Sequence, residues 1–188
     1  MERIRSFVAI LLNDEVRAAM AAEIARLQPL GPRVSWVAPP NLHLTLKFLG
    51  ELPPEALEQV KEALPEAVAG ATPFSLHFYG LGAFPGMVRP RVLWVGVDEG
   101  GQAAQALQAR VEAALTRRGF AREERPFSAH LTLGRVREPR GLAQLQQAMA
   151  RDARMDFGRL EVRALSLMRS DLSPSGSRYT ELAAFPFP

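Results

Sequence analysis

His43-Leu44-Thr45-Leu46 is a tetrapeptide that occurs twice in this chain of 188 residues, the second time as His130-Leu131-Thr132-Leu133. In a β-strand, side chains two residues apart point to the same face. Each copy is therefore predicted to bury two leucines and to present a histidine and a threonine on its other face, about 6.5 Å apart along the strand. The chain contains only three histidines and five threonines, so chance is a poor explanation for the repeated pair.

The order of predicted elements around the two motifs also repeats. Apolar residues at helical spacing predict four helices, and alternating apolar residues predict strands. The first copy of the order reads strand 4–12, helix 14–28, strand 42–49, helix 54–64 and strand 73–79. The second copy reads strand 91–98, helix 102–118, strand 129–136, helix 141–152 and strand 159–169, and a further strand is predicted at 178–185. We interpret the chain as a degenerate duplication of one α+β unit.

The strand patterns favour antiparallel sheets. Residues 74–79 and 160–165 alternate with a period of two, which predicts one buried and one wetter face. The Gly-rich and Pro-rich segment Gly80–Pro90 is predicted to be a connecting loop. The sequence therefore predicts an α+β fold with two lobes of similar plan, related by an approximate two-fold axis, within a single domain spanning residues 1–188.

Composition excludes several classes of protein. A chain of this length can bury a sufficient hydrophobic core without disulfides or a structural metal. The absence of cysteine excludes disulfide scaffolds, cysteine-ligated zinc, iron–sulfur clusters and thiol catalysis. The apolar run Phe7–Leu12 is followed directly by Asn13 and no small-residue cleavage site, so it indicates a strand rather than a signal peptide. No stretch approaches the ~20 apolar residues of a membrane span. We expect a cytoplasmic protein without membrane association.

Basic residues are almost all arginine. The chain carries 23 basic against 20 acidic residues, and 21 of the basic residues are arginine. Planar guanidinium groups are suited to binding phosphate. The excess of positive charge is too small to establish a nucleic-acid partner by itself.

Two histidines and two threonines facing one groove would suit displacement at a phosphate. A neutral imidazole can remove a proton from the attacking oxygen, and a protonated one can supply a proton to the leaving oxygen. Threonine hydroxyls can donate hydrogen bonds to the non-bridging oxygens. Few metal ligands are present, so we expect no metal and no cofactor. His77 has no threonine partner and is predicted to be structural, as a single strand histidine usually is.

The phrases around the motifs carry a family resemblance. Residues 41–51 read NLHLTLKFLGE and residues 127–135 read FSAHLTLGR. Two His-x-Thr-x motifs about 90 residues apart in this setting resemble the two-histidine phosphoesterase superfamily. The closer similarity is to its bacterial and archaeal RNA 2′,3′-cyclic phosphodiesterases, historically called 2′-5′ RNA ligases, and it covers essentially the whole chain.

The resemblance implies a bilobal fold with helices on the outer face of each sheet and an active site in the central cleft. It also implies metal-free hydrolysis of a 2′,3′-cyclic phosphate at an RNA 3′ end to a 2′-phosphate. We expect RNA ends such as those of tRNA fragments to be the partners, and we expect a monomer. By position, His43 would be the proton donor and His130 the proton acceptor, while Thr45 and Thr132 would hold phosphate oxygens. The residues alone do not decide which histidine is the acid.

Further residues are candidates for the same groove. Arg135 lies an odd number of residues after His130, but a bulge at Gly134 would turn it toward the phosphate. Lys47 keeps the parity of His43, although a solvated lysine at a strand end is the more ordinary interpretation. Three aromatic residues are candidates for stacking on a terminal base, and their spacing does not choose among them: Phe7, Phe48 and Tyr179.

Other functions use the same residues. A 2′-5′ RNA ligase would join tRNA halves with a ribose hydroxyl in place of water. A relative that opens cyclic phosphates on ADP-ribose would need the same groups. A non-catalytic module that binds RNA ends or nucleotides is a third alternative, although phosphate binding alone would be served equally well by arginine or lysine.

Overall fold

The structure of the protein, a computed structural model, describes residues 3–174 and 176–188. Nine strands are formed in this part of the chain: β1 Ile4–Leu11, β2 Val34–Trp36, β3 His43–Leu52, β4 Phe74–Phe84, β5 Val92–Glu99, β6 His130–Val136, β7 Asp156–Val162, β8 Ala164–Ser173 and β9 Gly176–Pro186. They are accompanied by four α-helices: α1 Asp14–Leu27, α2 Pro54–Val68, α3 Gly101–Arg117 and α4 Ala143–Arg151. Short 3₁₀ turns lie at Gln28–Leu30 and Pro39–Asn41.

The strands form two antiparallel sheets. One has the order β3-β1-β8-β9 and the other the order β2-β6-β5-β4-β7. The order β3-β1-β8-β9 corresponds to the order β6-β5-β4-β7, with a motif strand first in each. Strand β2 is an additional strand at the edge of the second sheet, next to β6. The prediction of an α+β fold with two antiparallel sheets is therefore confirmed. The matching orders agree with the predicted two-fold relation.

The lobes are not the two halves of the sequence. The predicted strand 159–169 is wrong, because the chain breaks at Arg163 into β7, which pairs with β4, and β8, which pairs with β1 in the other sheet. The third strand of the first repeat, β4, likewise lies in the sheet of the second motif. The alternation of buried and exposed residues continues through the exposed Arg163, so it gives no sign of the break. Alternation indicates which face of a strand is buried, but not which strand lies beside it.

The prediction of a loop over Gly80–Pro90 is wrong in its first half. Strand β4 continues to Phe84, which pairs with Val92 of β5. Its register against β5 shifts between Phe78 and Leu81, so Gly80 belongs to a bulge rather than to a turn. The sequence analysis also missed β2, whose three residues are too few to show a period.

The helices begin and end close to the predicted positions. Asn13 caps α1, because its Oδ1 accepts a hydrogen bond of 2.9 Å from the Val16 N–H. Helix α2 extends one turn beyond the prediction to Val68, and α4 is shorter than predicted at both ends. The apolar faces of all four helices join residues of both sheets in one large cluster of buried side chains. Within the described ranges, no helix is both long enough and apolar enough to cross a membrane.

Two glycines in left-handed conformation allow a matched test of this packing. At Gly100, φ is +82° and an added Cβ would lie 2.0 Å from the Ser75 carbonyl oxygen, whereas at Gly119 φ is +86° and nothing lies within 4 Å. We expect Gly119→Ala to lower the free energy of unfolding by about 1–2 kcal/mol through backbone strain alone. Gly100→Ala should lower it by more, because the Ser75 backbone must also move. Urea denaturation followed by circular dichroism measures both, and equal losses would contradict this description of the β4–α3 contact.

Candidate active site

A cleft of about 490 Å³ is lined by residues of both sheets. Both motif strands contribute to its wall, and the structure brings together there all four residues of the repeated pair, His43, Thr45, His130 and Thr132. The leucines of the two motifs, Leu44, Leu46, Leu131 and Leu133, are buried in the core, and Leu46 also reaches the cleft wall. The predicted division of each motif into a buried face and a groove-facing face is therefore confirmed.

Each motif strand carries a bulge at the same place. In β3, Thr45 pairs with Ala9 and Lys47 with Val8, which leaves Leu46 without a partner. In β6, Thr132 pairs with Trp94 and Gly134 with Leu93, which leaves Leu133 without a partner in β5, although its carbonyl accepts a hydrogen bond from the Val37 N–H. An unpaired residue reverses the alternation beyond it.

The bulges bring the fifth residue after each histidine to the cleft. Arg135 lines the cleft wall together with His130 and Thr132, as the predicted bulge at this point requires. Phe48 occupies the corresponding place after His43 and is 61% exposed. The two motif strands thus present an aromatic ring on one side of the cleft and a guanidinium group on the other.

The orientation of both imidazoles is fixed by backbone carbonyls. His43 Nδ1 lies 2.7 Å from the Asn41 carbonyl oxygen, and His130 Nδ1 lies 2.7 Å from that of Ser128, two residues earlier in each case. A carbonyl can only accept, so the hydrogen of each neutral ring is on Nδ1 and the lone pair is on Nε2. Nε2 of His43 lies 2.8 Å from Thr45 Oγ, whose hydroxyl donates to it.

Burial favours the neutral form of both imidazole rings, His43 and His130. Burial lowers the pKa of His43 below its ordinary value, and the Asn41 carbonyl opposes this shift in part. Burial also lowers the pKa of His130, where the Ser128 carbonyl opposes the shift and the nearby positive charge of Arg135 adds to it. Both imidazoles are therefore predominantly neutral at pH 7.

Aromatic rings contact both histidines. The centroid of Phe7 lies 4.7 Å from that of His43, and Tyr179 approaches the same imidazole edge-on at 5.3 Å. Phe48 lies 6.3 Å from Phe7, so the three aromatic candidates form one surface on the first sheet. Phe84 meets His130 edge-on at 4.9 Å. No pattern in the sequence marks Phe84 as a site residue, because it lies in the segment Gly80–Pro90, whose composition predicts a loop.

The cleft wall is cationic. Arg5, Arg125 and Arg135 line it, and none of these three guanidinium groups forms an ion pair with another residue that the structure describes. Unpaired guanidinium groups in a cleft suit an anionic ligand such as phosphate. Arg125 belongs to no motif and was not identified from the sequence.

Lys47 lies at the cleft, whereas His77 does not. Lys47 reaches the cleft wall, but its Nζ is buried against Glu112 at 2.7 Å, so the interpretation as a solvated lysine is wrong. His77 lies away from the cleft, with Nε2 3.0 Å from Asp156 Oδ1 and Nδ1 2.7 Å from Asp98 Oδ1. Its predicted structural assignment agrees with this position. Among residues 3–174 and 176–188, no group of three or more histidine and carboxylate side chains is placed to hold a metal.

Comparison with known proteins places the whole chain in one family. The family model of the 2′-5′ RNA ligase superfamily matches residues 14–174. A protein of Archaeoglobus fulgidus named RNA 2′,3′-cyclic phosphodiesterase is 37% identical over 96% of this chain and 99% of its own length. A protein of the same name from Methanothermobacter thermautotrophicus is 32% identical over 97% and 98% of the two chains.

Solved structures agree in fold. The crystal structure of TT0787 from Thermus thermophilus superposes with a TM-score of 0.78 at 32% identity, covering 98% of both chains. The apo form of E. coli LigT superposes with a TM-score of 0.76 at 27% identity and covers 100% of this chain and 99% of its own. The two-sheet arrangement is thus shared over the full length.

The lowered pKa values can be measured directly. Both His43 and His130 are expected to titrate with midpoints below 6.5, because burial disfavours their charged forms, and above that pH both should be in the Nδ1–H tautomer. Long-range ¹H–¹⁵N NMR spectra recorded from pH 4.5 to 8.5 report both properties. Midpoints at or above 6.5, or an Nε2–H tautomer in either ring, would contradict the geometry.

Proposed function

The chain belongs to the 2′-5′ RNA ligase superfamily, and from that premise we propose that it is an RNA 2′,3′-cyclic phosphodiesterase, which opens the cyclic phosphate at an RNA 3′ end to a 2′-phosphate. The observation that carries the proposal is the pair of carbonyl-oriented imidazoles, one from each sheet, beside a threonine each in a single cationic cleft. The names of the full-length relatives from Archaeoglobus and Methanothermobacter support it.

In the proposed reaction the two imidazoles exchange protons with opposite sides of the phosphorus. Nε2 of neutral His130 accepts a proton from water as the water oxygen forms a bond to phosphorus. Protonated His43 donates from Nε2 to the 3′-oxygen as the bond between that oxygen and phosphorus breaks, so the phosphate stays on the 2′-oxygen. The charge of Arg135 favours neutral His130, which supports its assignment as the base.

Protonation of His43 would also free a hydrogen bond for the substrate. In the neutral ring Nε2 accepts from the Thr45 hydroxyl. Once Nε2 carries a proton it can no longer accept, and the Thr45 hydroxyl can turn to a phosphate oxygen. Thr132 and Arg135 are positioned on the opposite wall of the cleft to bind the other non-bridging oxygens and the charge that develops on them.

The proposed substrate is an RNA 3′ end that bears a 2′,3′-cyclic phosphate, tRNA fragments included. The exposed ring of Phe48 and the partly exposed ring of Tyr179 are suited to stack on the terminal base, while the buried Phe7 packs beside them. E. coli LigT, 26% identical to this chain, has been crystallised with 3′-AMP, which is consistent with a nucleotide in this cleft. We further propose that the protein acts without a metal, as a monomer with one bilobal domain, in the cytoplasm.

Ligation is the second candidate, favoured by the description of the matching family. A ribose 5′-hydroxyl in the place of water could be deprotonated by His130 and attack phosphorus, while His43 protonates the 3′-oxygen that leaves, and the two ends are then joined by a 2′-5′ linkage. Water is present at far higher concentration than an RNA 5′ end, so hydrolysis should dominate. The ratio of joined to opened ends with tRNA halves separates the two outcomes.

A metal-free assay tests the proposed function. An oligonucleotide that ends in a 2′,3′-cyclic phosphate, incubated with the protein and EDTA, should give a product with the phosphate on the 2′-oxygen. One histidine must be neutral and the other charged, so kcat/KM should follow a bell-shaped pH profile, and its maximum should lie below pH 6.5 because both pKa values are lowered. A 3′-phosphate product, strict dependence on a divalent ion or no turnover would refute the proposal.

Histidine variants test acid–base catalysis by the two imidazoles. His43→Gln and His130→Gln should each lower kcat/KM by about 10²–10⁴-fold, because each removes a group that transfers a proton. His77→Gln is the matched control, since it makes the same substitution away from the cleft, and it should stay within a few-fold of the wild type. Full activity in the double variant of His43 and His130 would contradict acid–base catalysis by these rings.

A further inference from the structure

A buried ion pair beneath the cleft takes no part in the chemistry proposed above. Lys47 Nζ of β3 lies 2.7 Å from Glu112 Oε1 of α3, and only 5% and 11% of these side chains are exposed. Transferring two charges from water into a protein usually costs about as much free energy as their attraction returns. Stability alone is therefore a weak reason for such a pair, and its other contacts indicate what it does.

Both partners also hold the backbone of the segment that leads into β6. We call residues 120–129 the approach segment. Lys47 Nζ donates to the Ala121 carbonyl oxygen at 2.9 Å, and the Glu123 N–H donates to Glu112 Oε2 at 3.3 Å. The side-chain amide of Gln108, one turn earlier on α3, donates to Glu112 Oε1 at 3.4 Å. Hydrogen bonds in which one partner is charged are the stronger kind.

The approach segment contains no helix or strand, and most of its residues are exposed. It nevertheless supplies Arg125, Phe127 and Ser128 to the cleft wall. The Ser128 carbonyl is the acceptor that fixes Nδ1 of His130. A segment without ladder hydrogen bonds of its own must be held by other groups if that carbonyl is to keep its place.

The ion pair therefore connects the two imidazoles. Lys47 follows His43 by four residues on the same strand, and the approach segment ends at His130. We propose that Lys47 and Glu112 are a positioning pair, which fixes the approach segment to β3 and thereby sets the orientation of His130 relative to His43. Its effect on rate rests on the proposed function, but its effect on geometry does not.

A double substitution separates positioning from stability. Lys47→Met combined with Glu112→Leu keeps similar buried volume and leaves no unpaired charge, a kind of replacement that is often neutral or stabilising. The Ala121 carbonyl and the Glu123 N–H lose their partners in this variant. We expect faster hydrogen exchange at the Glu123 amide and a mixture of His130 tautomers in long-range ¹H–¹⁵N spectra, with His43 still Nδ1–H. The kcat for the cyclic-phosphate oligonucleotide should fall about 10–100-fold through misplacement of His130.

Lys61 and Glu58 provide the matched control. They form an ion pair of the same type at 2.7 Å on the exposed face of α2, and Lys61→Met with Glu58→Leu should leave the exchange rate, the His130 tautomer and kcat within twofold of the wild type. Wild-type kcat and an unchanged His130 tautomer in the Lys47/Glu112 double variant would overturn the proposal. Failure of that variant to fold would assign the pair to stability and overturn it as well. An inactive wild-type protein would refute the proposed function, while exchange and tautomer would still test the positioning role.

Discussion

One unpaired leucine in each motif strand is the geometric constraint on which the cleft depends. Up to the threonine, strict alternation buries the leucines and turns the histidine and threonine outward. Leu46 and Leu133 are themselves buried but have no partner in the neighbouring strands β1 and β5, so the strands change face directly after them. Without that change Phe48 and Arg135 would point away from the imidazoles. The bulges therefore allow one strand both to seal the core and to present three functional side chains on the same wall.

The proposed chemistry depends on the surroundings of His43 and His130, which share some contacts and differ in others. Both rings are oriented by the carbonyl two residues earlier, and burial favours the neutral form of both. The neighbours break the symmetry. His43 is enclosed by aromatic rings and accepts from Thr45, whereas His130 lies beside the charge of Arg135. Such differences favour the base role for one copy of a duplicated motif and the acid role for the other.

The sequence predicted the elements and the cleft-facing histidines well, because alternation and helical spacing are local signals. Asn13, the two His-x-Thr pairs and the bulge at Gly134 all lie within a few residues of the pattern that reveals them. The sequence did not predict the break at Arg163, the burial of Lys47 or the contribution of Arg125. Each of these depends on a partner far along the chain, such as Glu112 for Lys47 at a separation of 65 residues. No periodicity within one segment contains that information.

The exchange of strands between the sheets has a consequence for how the protein is made. Strand β1 leaves the ribosome before its second neighbour, β8, which is synthesised more than 150 residues later. Until then the apolar Phe7–Ile10 stretch of β1 has one open hydrogen-bonding edge, which is the kind of edge that recruits foreign strands. The first sheet, and with it one wall of the cleft, can be completed only after β8 and β9 have been synthesised. A chain that terminates before β8 would thus have an incomplete first sheet with an aggregation-prone edge, and it would not be a smaller active enzyme.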